Sequence, residues 1–527
     1  MGEAEFLIAG ILVAVAGLSA LARQLDVPYP IVLVIGGAVV GFIPGLPKVE
    51  LDPDVVLVVF LPPLLYGAAF FANLGDIRNS LRVVTLNAVG LVIATTGAVA
   101  VAAHALIPGM PWSAAFVLGA IVSPTDPLAA GTIMRRLSVP RRIVSSVEGE
   151  GLFNDSTALV IYRVAVAAVV GGSFSAAEAG ARLVGAAAGG IAIGLAVGWL
   201  IAEIRARTTD PQISITISLL TGYAAFIPAD AVGASGVLAA VTAGIYMGIR
   251  GPSVIPPRTR LQGIFVWEMV DFLINATLFV LLGLQLRTVV DGLHGESASD
   301  LARWALAISV VVVVARFIWN FTMTVVIRSL DRRPSQLARR ASWRLRLIAS
   351  WSGMRGSVSL AAALALPLAT DAGRPFPNRD LIIFLTFAVI LTTLVVQGLS
   401  LPWLIRRLGV GDGDAESNEE IRARLVATKA ALARLDELGD EDWTRDDTIE
   451  RMRGMFEYRK RRFAARAGKI EDDGYEDRSL AYQRTIQEVL AAEREALVRL
   501  RDEREISNEM MNRLLREFDL EESRLEI

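Results

Sequence analysis

From its first residues to about Val410 the chain alternates between apolar runs of roughly 15 to 28 residues and short breaks rich in charge, proline or glycine. A run of about 20 apolar residues crosses the hydrocarbon core of a bilayer as a helix. The pattern predicts thirteen spans, at 5–22, 30–43, 54–72, 81–107, 112–134, 141–171, 181–205, 212–228, 233–249, 259–286, 301–329, 342–368 and 379–407. The second, eighth and ninth are short and rich in Gly and Pro. The first follows Met-Gly-Glu-Ala-Glu, which lacks the basic leading region of a cleavable signal, so it reads as a retained span. After Gly411 the long apolar runs stop. Residues 411–527 carry Glu/Arg/Leu-rich stretches such as 419–438 and 479–526, with apolar positions three and four apart among i,i+4 charge pairs. That spacing predicts solvated helices packing on one another, as a regulatory or dimerising module whose ligand the pattern does not name. The expected fold class is an all-α membrane protein, with a transmembrane domain over 1–410 and a soluble helical tail over 411–527.

Composition agrees with this division. Of 527 residues 53% are hydrophobic and only 20% charged, below the roughly 25% usual for soluble proteins. The formal net charge of −2 implies no general attraction to nucleic acid. Cysteine is absent, so disulfide and thiolate chemistry are excluded. The two histidines, His104 and His294, fall in predicted exterior loops far apart and make no metal cluster. Lys and Arg are distributed asymmetrically. With the N-terminus outside, the inner loops and span ends hold about 21 basic residues, among them Arg135, Arg136 and the block from Arg328 to Arg346, against about 6 outside. That bias would reverse under a one-span error, so it predicts an external N-terminus and a cytoplasmic tail in the plasma membrane.

Ionisable residues inside spans carry the chemistry, because each costs at least about 2.5–3.5 kcal/mol at the bilayer centre. The sixth span is about 43 Å long at 1.5 Å per residue, and its middle reads Ser146-Val-Glu-Gly-Glu-Gly-Leu-Phe-Asn-Asp155. Glu150 and Asn154 share a helix face, and Asp155 lies on the adjacent one. Glu148 is about two turns away toward the cytoplasm. A midplane carboxylate with an acidic residue between it and the cytosol suits a proton or cation path. The fifth span carries Ser123-Pro-Thr-Asp-Pro127 at its centre. Two prolines three residues apart remove two backbone donors and predict a broken helix, whose free carbonyls and half-helix ends can coordinate cations. Thr125 offers a hydroxyl and a carbonyl; Asp126 offers a second carboxylate or a cap for the next half-helix. The twelfth span is interrupted at Ser350-Trp-Ser-Gly-Met-Arg-Gly-Ser357, with Arg355 near its centre. Interruptions in the fifth and twelfth spans predict an inverted repeat of two six-span halves joined by the seventh. Arg316, alone in a Val-rich run, has to face a carboxylate or a polar cavity. Arg163 lies far enough toward the outer end to snorkel.

At these residues the sequence resembles the first family of monovalent cation:proton antiporters, which contains the NhaP-type sodium/proton antiporters and the animal sodium/proton exchangers. The motifs are Thr125-Asp126-Pro127, Glu148-Gly-Glu-Gly-Leu-Phe-Asn-Asp155, the isolated Arg316, and Met354-Arg-Gly-Ser-Val-Ser-Leu360, within a match over roughly 5–410. The resemblance implies a homodimer of thirteen-helix protomers, each with a dimerisation part and a six-helix core bundle around two crossed, broken helices. It further implies that Asp155 carries the cation and the proton alternately, with Asn154 orienting the site, Asp126 at the crossing and Thr125 supplying oxygen ligands to the cation. Glu150 would pair with Arg316 or contact the cation, and Arg355 would steady the broken helix. Members with Asn before the Asp are generally electroneutral. Gly151 stands where many members have serine, which leaves the cation open among Na+, K+ and Li+. No cofactor is implied; the partners are lipid and a second copy. A cation channel using the same carboxylates is the alternative, although no filter-like glycine repeat is visible. A membrane enzyme finds no nucleophile elbow, metal cluster or phosphate loop in the sequence.

Overall fold

Lipid offers no partner to backbone N–H and C=O groups, so each apolar run must satisfy its own by coiling into a helix. The computed structural model describes residues 3–25, 27–43, 53–72, 74–171, 176–293, 296–330, 342–410, 413–466 and 474–523. It is nearly all helical: outside the helices, the described residues hold one isolated bridge, between Ala369 and Pro375. The chain divides into two compact units, Met1–Gly411 and Asp412–Ile527.

In the first unit the helices are α1 (Glu3–Gln24), α2 (Tyr29–Gly41), α3 (Pro53–Phe71), α4 (Leu74–Thr85), α5 (Val92–Leu106), α6 (Trp112–Val122), α7 (Pro127–Arg136), α8 (Arg141–Val170) and α9 (Ala176–Arg207). They continue as α10 (Pro211–Ala231), α11 (Gly236–Val254), α12 (Pro257–Gly292), α13 (Ala298–Leu330), α14 (Trp343–Trp351), α15 (Ser357–Leu364), α16 (Arg379–Thr392) and α17 (Gly398–Leu408). π-helical turns at Leu86–Leu91 and Thr393–Gln397 join α4 to α5 and α16 to α17. Among the described residues, eight helices are long and apolar enough to cross a membrane, and four shorter apolar helices accompany them. Large apolar side chains point outward, with Val13, Trp199, Phe265 and Val325 all more than half exposed. So much outward apolar surface suits lipid rather than water.

Local sequence sets the boundaries. Asp210 accepts from the N–H groups of Gln212 and Ile213, at 2.8 and 3.0 Å, and Pro211 opens α10 behind it. Ser342 caps α14 through Leu345 N–H at 3.3 Å. Gly409, at φ 60°, ends α17 in the left-handed conformation that glycine adopts without strain. The interior of the unit falls into two apolar clusters. One draws on α3, α9, α10, α11 and α12 through residues such as Tyr66, Ala225, Ala239 and Met247. The other, larger one is centred on α5, α6, α8, α13 and the helices from α14 onward. His104, expected in an exterior loop, instead lies near the end of α5, where its ring stacks on Trp112 at 4.2 Å and its Nδ1 lies 2.7 Å from the Met110 carbonyl oxygen. The helix ends two residues later, at Leu106. His294 lies outside the described residues.

The second unit holds α18 (Gly413–Leu438), α19 (Asp446–Arg466), α20 (Tyr475–Asp502) and α21 (Asn508–Ser523). Ile421, Leu425 and Phe463 form a small buried cluster between α18 and α19, with the Arg424 guanidinium 5.4 Å from the Phe463 ring centre. Arg494 on α20 reaches Asp519 and Glu522 on α21 at 2.7 and 2.6 Å. The stretch 479–526 is therefore not one helix. It breaks at Arg504, which has φ 63°, and restarts where the Ser507 hydroxyl accepts from Met510 N–H at 3.1 Å. Helix α19 lies between the two stretches named from the sequence.

Candidate functional site

Two interrupted helices meet inside the first unit. Four residues separate the end of α6 at Val122 from the start of α7 at Pro127, and these, Ser123–Asp126, run as an irregular linker. Ser352–Gly356 do the same between α14 and α15. The two linkers are bonded to each other. Asp126 N–H donates to the Met354 carbonyl at 2.8 Å, and Arg355 Nε donates to the Val122 carbonyl at 3.0 Å. Arg355 is 1% exposed and also bonds the Gly353 carbonyl, while its own N–H donates to Thr393 Oγ1 at 3.1 Å in the second π-helical turn. Its charge thus sits at the C-terminal end of α6, where the helix dipole is negative and a carbonyl has lost its helical partner. Gly356 is required at the crossing, because a Cβ there would overlap the Asp126 carboxylate.

Behind the crossing lies a buried polar network. The Glu150 and Arg316 side chains form an ion pair while only 3% and 1% exposed. A second Arg316 nitrogen donates to Glu150 Oε2 at 3.2 Å, and the guanidinium also donates to the Ala349 carbonyl at 3.1 and 3.3 Å. Glu150 accepts in addition from Asn87 Nδ2 at 2.9 Å and from Thr125 Oγ1 at 3.1 Å. Asn154 Nδ2 donates to the Thr125 hydroxyl and carbonyl at 2.9 and 3.3 Å, tying α8 to the break between α6 and α7. Trp319 Nε1 holds Asn87 Oδ1 at 3.2 Å. Asn87 belongs to the first π-helical turn, whose wider coil redirects side chains and recurs at functional sites.

In front of the crossing is a cavity of about 480 Å³. Asp126 and Asp155 line it, with Pro124, Pro127 and Gly151 beside them, α3 along one wall and Trp267, Glu268, Asp271 and Asn275 of α12 along another. Arg135 and Glu148 also line it and form an ion pair of 2.5 Å, with the Arg135 side chain 61% exposed, which marks the mouth. Among the described residues no Lys or Arg pairs with Asp155. An uncompensated carboxylate away from bulk water is costly unless it holds a proton or a cation.

The residues singled out from sequence thus separate into two sets. Asp126 and Asp155 face the cavity; Thr125, Asn154, Glu150, Arg316 and Arg355 are buried in the network behind it, and none of these five lines the cavity. The Thr125 hydroxyl is engaged by Glu150 and Asn154 rather than turned toward Asp155. Gly151 has a steric reason as well: a Cβ there would come within 2.5–2.6 Å of the Pro127 ring, so α7 and α8 approach through it. Arg163 pairs with Asp230 at 2.7 Å, both about half exposed. Sequence reading missed Asn87, Glu268, Asp271 and Asn275. Glu268 and Asp271 are ionisable residues within the predicted tenth span, so the cost argument that found Arg316 applied to them equally.

Comparison with known proteins places this geometry in context. The family described as "Sodium/hydrogen exchanger, transmembrane" matches residues 10–407. A Mycobacterium tuberculosis protein described as an uncharacterized Na(+)/H(+) exchanger, Rv2287, is 37% identical across 100% of this chain and 98% of its own length. The Bacillus subtilis sodium, potassium, lithium and rubidium/H(+) antiporter is 29% identical across 98% of this chain and 77% of its own length. The fold is shared with the sodium proton antiporter MjNhaP1 from Methanocaldococcus jannaschii, at a TM-score of 0.59 and 18% identity, over 78% of this chain and 100% of that one.

Proposed function

The chain belongs to the sodium/hydrogen exchanger family, a family of transporters, and from that premise we propose that it exchanges protons one for one for a monovalent cation, Na+ first, with K+ or Li+ as the alternatives. The observation that carries this reading is the lone carboxylate of Asp155 beside Asp126 in a cavity at the crossing of two interrupted helices. A single titrating carboxylate holds one proton or one monovalent cation, never both. Exchange then follows from competition, and equal charges moving in opposite directions make it electroneutral.

Each protomer has thirteen spans in two inverted halves, an external N-terminus, a cytoplasmic tail and a place in the plasma membrane as a homodimer. In that orientation the mouth at Arg135 and Glu148 faces the cytoplasm, and the cavity is the inward-open half of an alternating-access cycle. Asp155 and Asp126 supply carboxylate oxygens to the cation. Asn154 and Thr125 fix the linker that carries Asp126, and Thr125 completes the cation's oxygen shell only if its hydroxyl leaves Glu150. The Glu150–Arg316 pair and Arg355 hold the crossing together. The close contact of Gly151 with Pro127 removes room for a serine ligand, so the potassium, lithium and rubidium in the name of the Bacillus relative are a reason to test more than sodium.

The test is proton flux in proteoliposomes carrying a pH gradient, with Na+, K+ and Li+ added separately and with the membrane voltage clamped at two values. Exchange predicts saturable dissipation of the gradient that requires a counter-cation and ignores voltage. Proton or cation flux without the other ion would instead indicate a channel.

A further inference from the structure

Asp271, like Glu268 and Asn275 beside it on α12, is a polar residue of the cavity that the exchange scheme leaves without work. It sits on α12 about 21 Å along the helix from Pro257 at 1.5 Å per residue, and it faces the same cavity as Asp155 and Asp126 from a helix that carries neither break. Asn275, one turn on and 4% exposed, donates its Nδ2 to the Asp271 carbonyl at 2.9 Å and to the Asp271 carboxylate at 3.1 Å. That contact fixes the carboxylate while leaving it acceptor capacity, since an ionised carboxylate has about four lone-pair sites. Among the described residues no Lys or Arg pairs with Asp271, whereas Glu148 at the mouth has Arg135 and Glu150 behind the crossing has Arg316. The cavity therefore presents two carboxylates that, among the described residues, pair with no Lys or Arg: Asp155 on α8 and Asp271 on α12.

We propose that Asp271 is an affinity-determining residue for the cation, a further carboxylate of the Asp155 cavity that raises cation affinity at the exchange site without itself carrying the exchanged proton. The inference rests on the exchange reading above. At an effective dielectric of about 20, a unit charge on the order of 10 Å from a monovalent ion, the scale of a cavity of about 480 Å³, changes a binding constant on the order of tenfold. Asp271→Asn should therefore raise the half-saturating Na+ concentration by about tenfold at fixed pH, and leave the maximal rate within about twofold. Asp271→Glu, which keeps the charge, should stay close to the parent protein. A purely structural role would lower the melting temperature and the maximal rate and leave half-saturation alone.

The experiment measures Na+- and K+-dependent proton flux in proteoliposomes for the parent protein, Asp271→Asn, Asp271→Ser and Asp271→Glu, with melting temperatures of each. Asp271→Ser is the second neutral variant if Asp271→Asn does not fold. Raised half-saturation in a folded neutral variant, restored by glutamate, supports the proposal. Unchanged half-saturation overturns it, as does a folded neutral variant with no turnover, since Asp271 would then take part in proton exchange itself. A parent protein without cation-coupled flux would instead overturn the exchange reading, and the two failures are distinguishable on the same plate.

Discussion

Removing one member of the Glu150–Arg316 pair tests how the crossing is held. In Arg316→Gln the Glu150 carboxylate of α8 stays buried, at about 2% residue exposure, with the neutral donors Asn87 and Thr125 as its remaining partners. Stranding a buried charge in this way costs about 3–5 kcal/mol. Glu150→Gln keeps the shape but removes the carboxylate from beside two guanidinium groups, Arg316 and Arg355, which both flank Gly353. Arg316 then retains only its bonds to the Ala349 carbonyl and a contact with a neutral amide. The cost should be similar, and it includes repulsion between the two arginines. The double variant Glu150→Gln/Arg316→Gln has no stranded charge at this position, and replacing both members of a buried pair is far milder than removing one. At about 2–4 °C per kcal/mol for a domain of 150–250 residues, and less for a larger unit, each single substitution should lower the melting temperature by roughly 5–10 °C. The double variant should melt above the less stable single, with a coupling of about 2 kcal/mol or more, within the range found for contacting residues. Melting of the four purified proteins, with and without sodium, reads this directly. Strictly additive losses would refute the pair as the clamp. Loss of sodium stabilisation in Glu150→Gln, with little change in melting temperature, would make Glu150 a cation ligand instead.

Three further outcomes follow from the same geometry. Because cation and proton compete for one carboxylate, the half-saturating cation concentration should rise up to about tenfold for each unit that pH falls below the pKa of the site; a value constant from about pH 6 to about 8.5, with proton binding demonstrated in that range, would contradict competition. Gly151→Ser should destabilise the protein by about 1–3 kcal/mol through overpacking against Pro127 and should leave sodium affinity no better, as cation-dependent melting would report; tighter sodium binding would mean that the α7–α8 contact yields to a ligand. Deleting the tail from Asn418 should leave a membrane-inserted protein that exchanges ions with an altered pH response, and a folded truncation that binds cation yet never turns over would bring the tail into the transport cycle.

Much of this arrangement is legible in the sequence because its rules are local. Pro124 and Pro127, three residues apart, take two donors from one short stretch and break the helix there, although α3, α10, α11 and α17 each carry proline without breaking. Gly353 and Gly356 mark the second break through their backbone freedom. Glu150 and Arg316 announce a need for opposite charge because lipid gives them none. What local rules do not provide is the direction in which a polar side chain finally points. Thr125 and Asp126 are neighbours, yet one is bonded into the network behind the crossing and the other lines the cavity, because the linker between α6 and α7 is set by its bonds to Met354 and Arg355. Asn87 is neutral, so no cost argument flags it, and the π-helical turn that aims it at Glu150 depends on packing. Asp271 was within reach of the intramembrane-charge rule but lacks a recognisable motif. In the tail, the break at Arg504 follows from a capping serine, a signal present in the sequence but outweighed by the long charged periodicity around it.

The central claim is that one carboxylate trades a proton for a cation, and Asp155→Asn addresses it most directly. The substitution preserves side-chain shape and removes the only group in the scheme that binds both ions. Sodium-dependent proton flux should be measured in proteoliposomes for the parent protein and for Asp155→Asn at equal reconstituted amounts, with melting temperature and oligomeric state confirming that the variant is folded. The account predicts saturable flux in the parent and flux no greater than in empty vesicles for the variant; substantial cation-coupled proton flux through folded Asp155→Asn would contradict it.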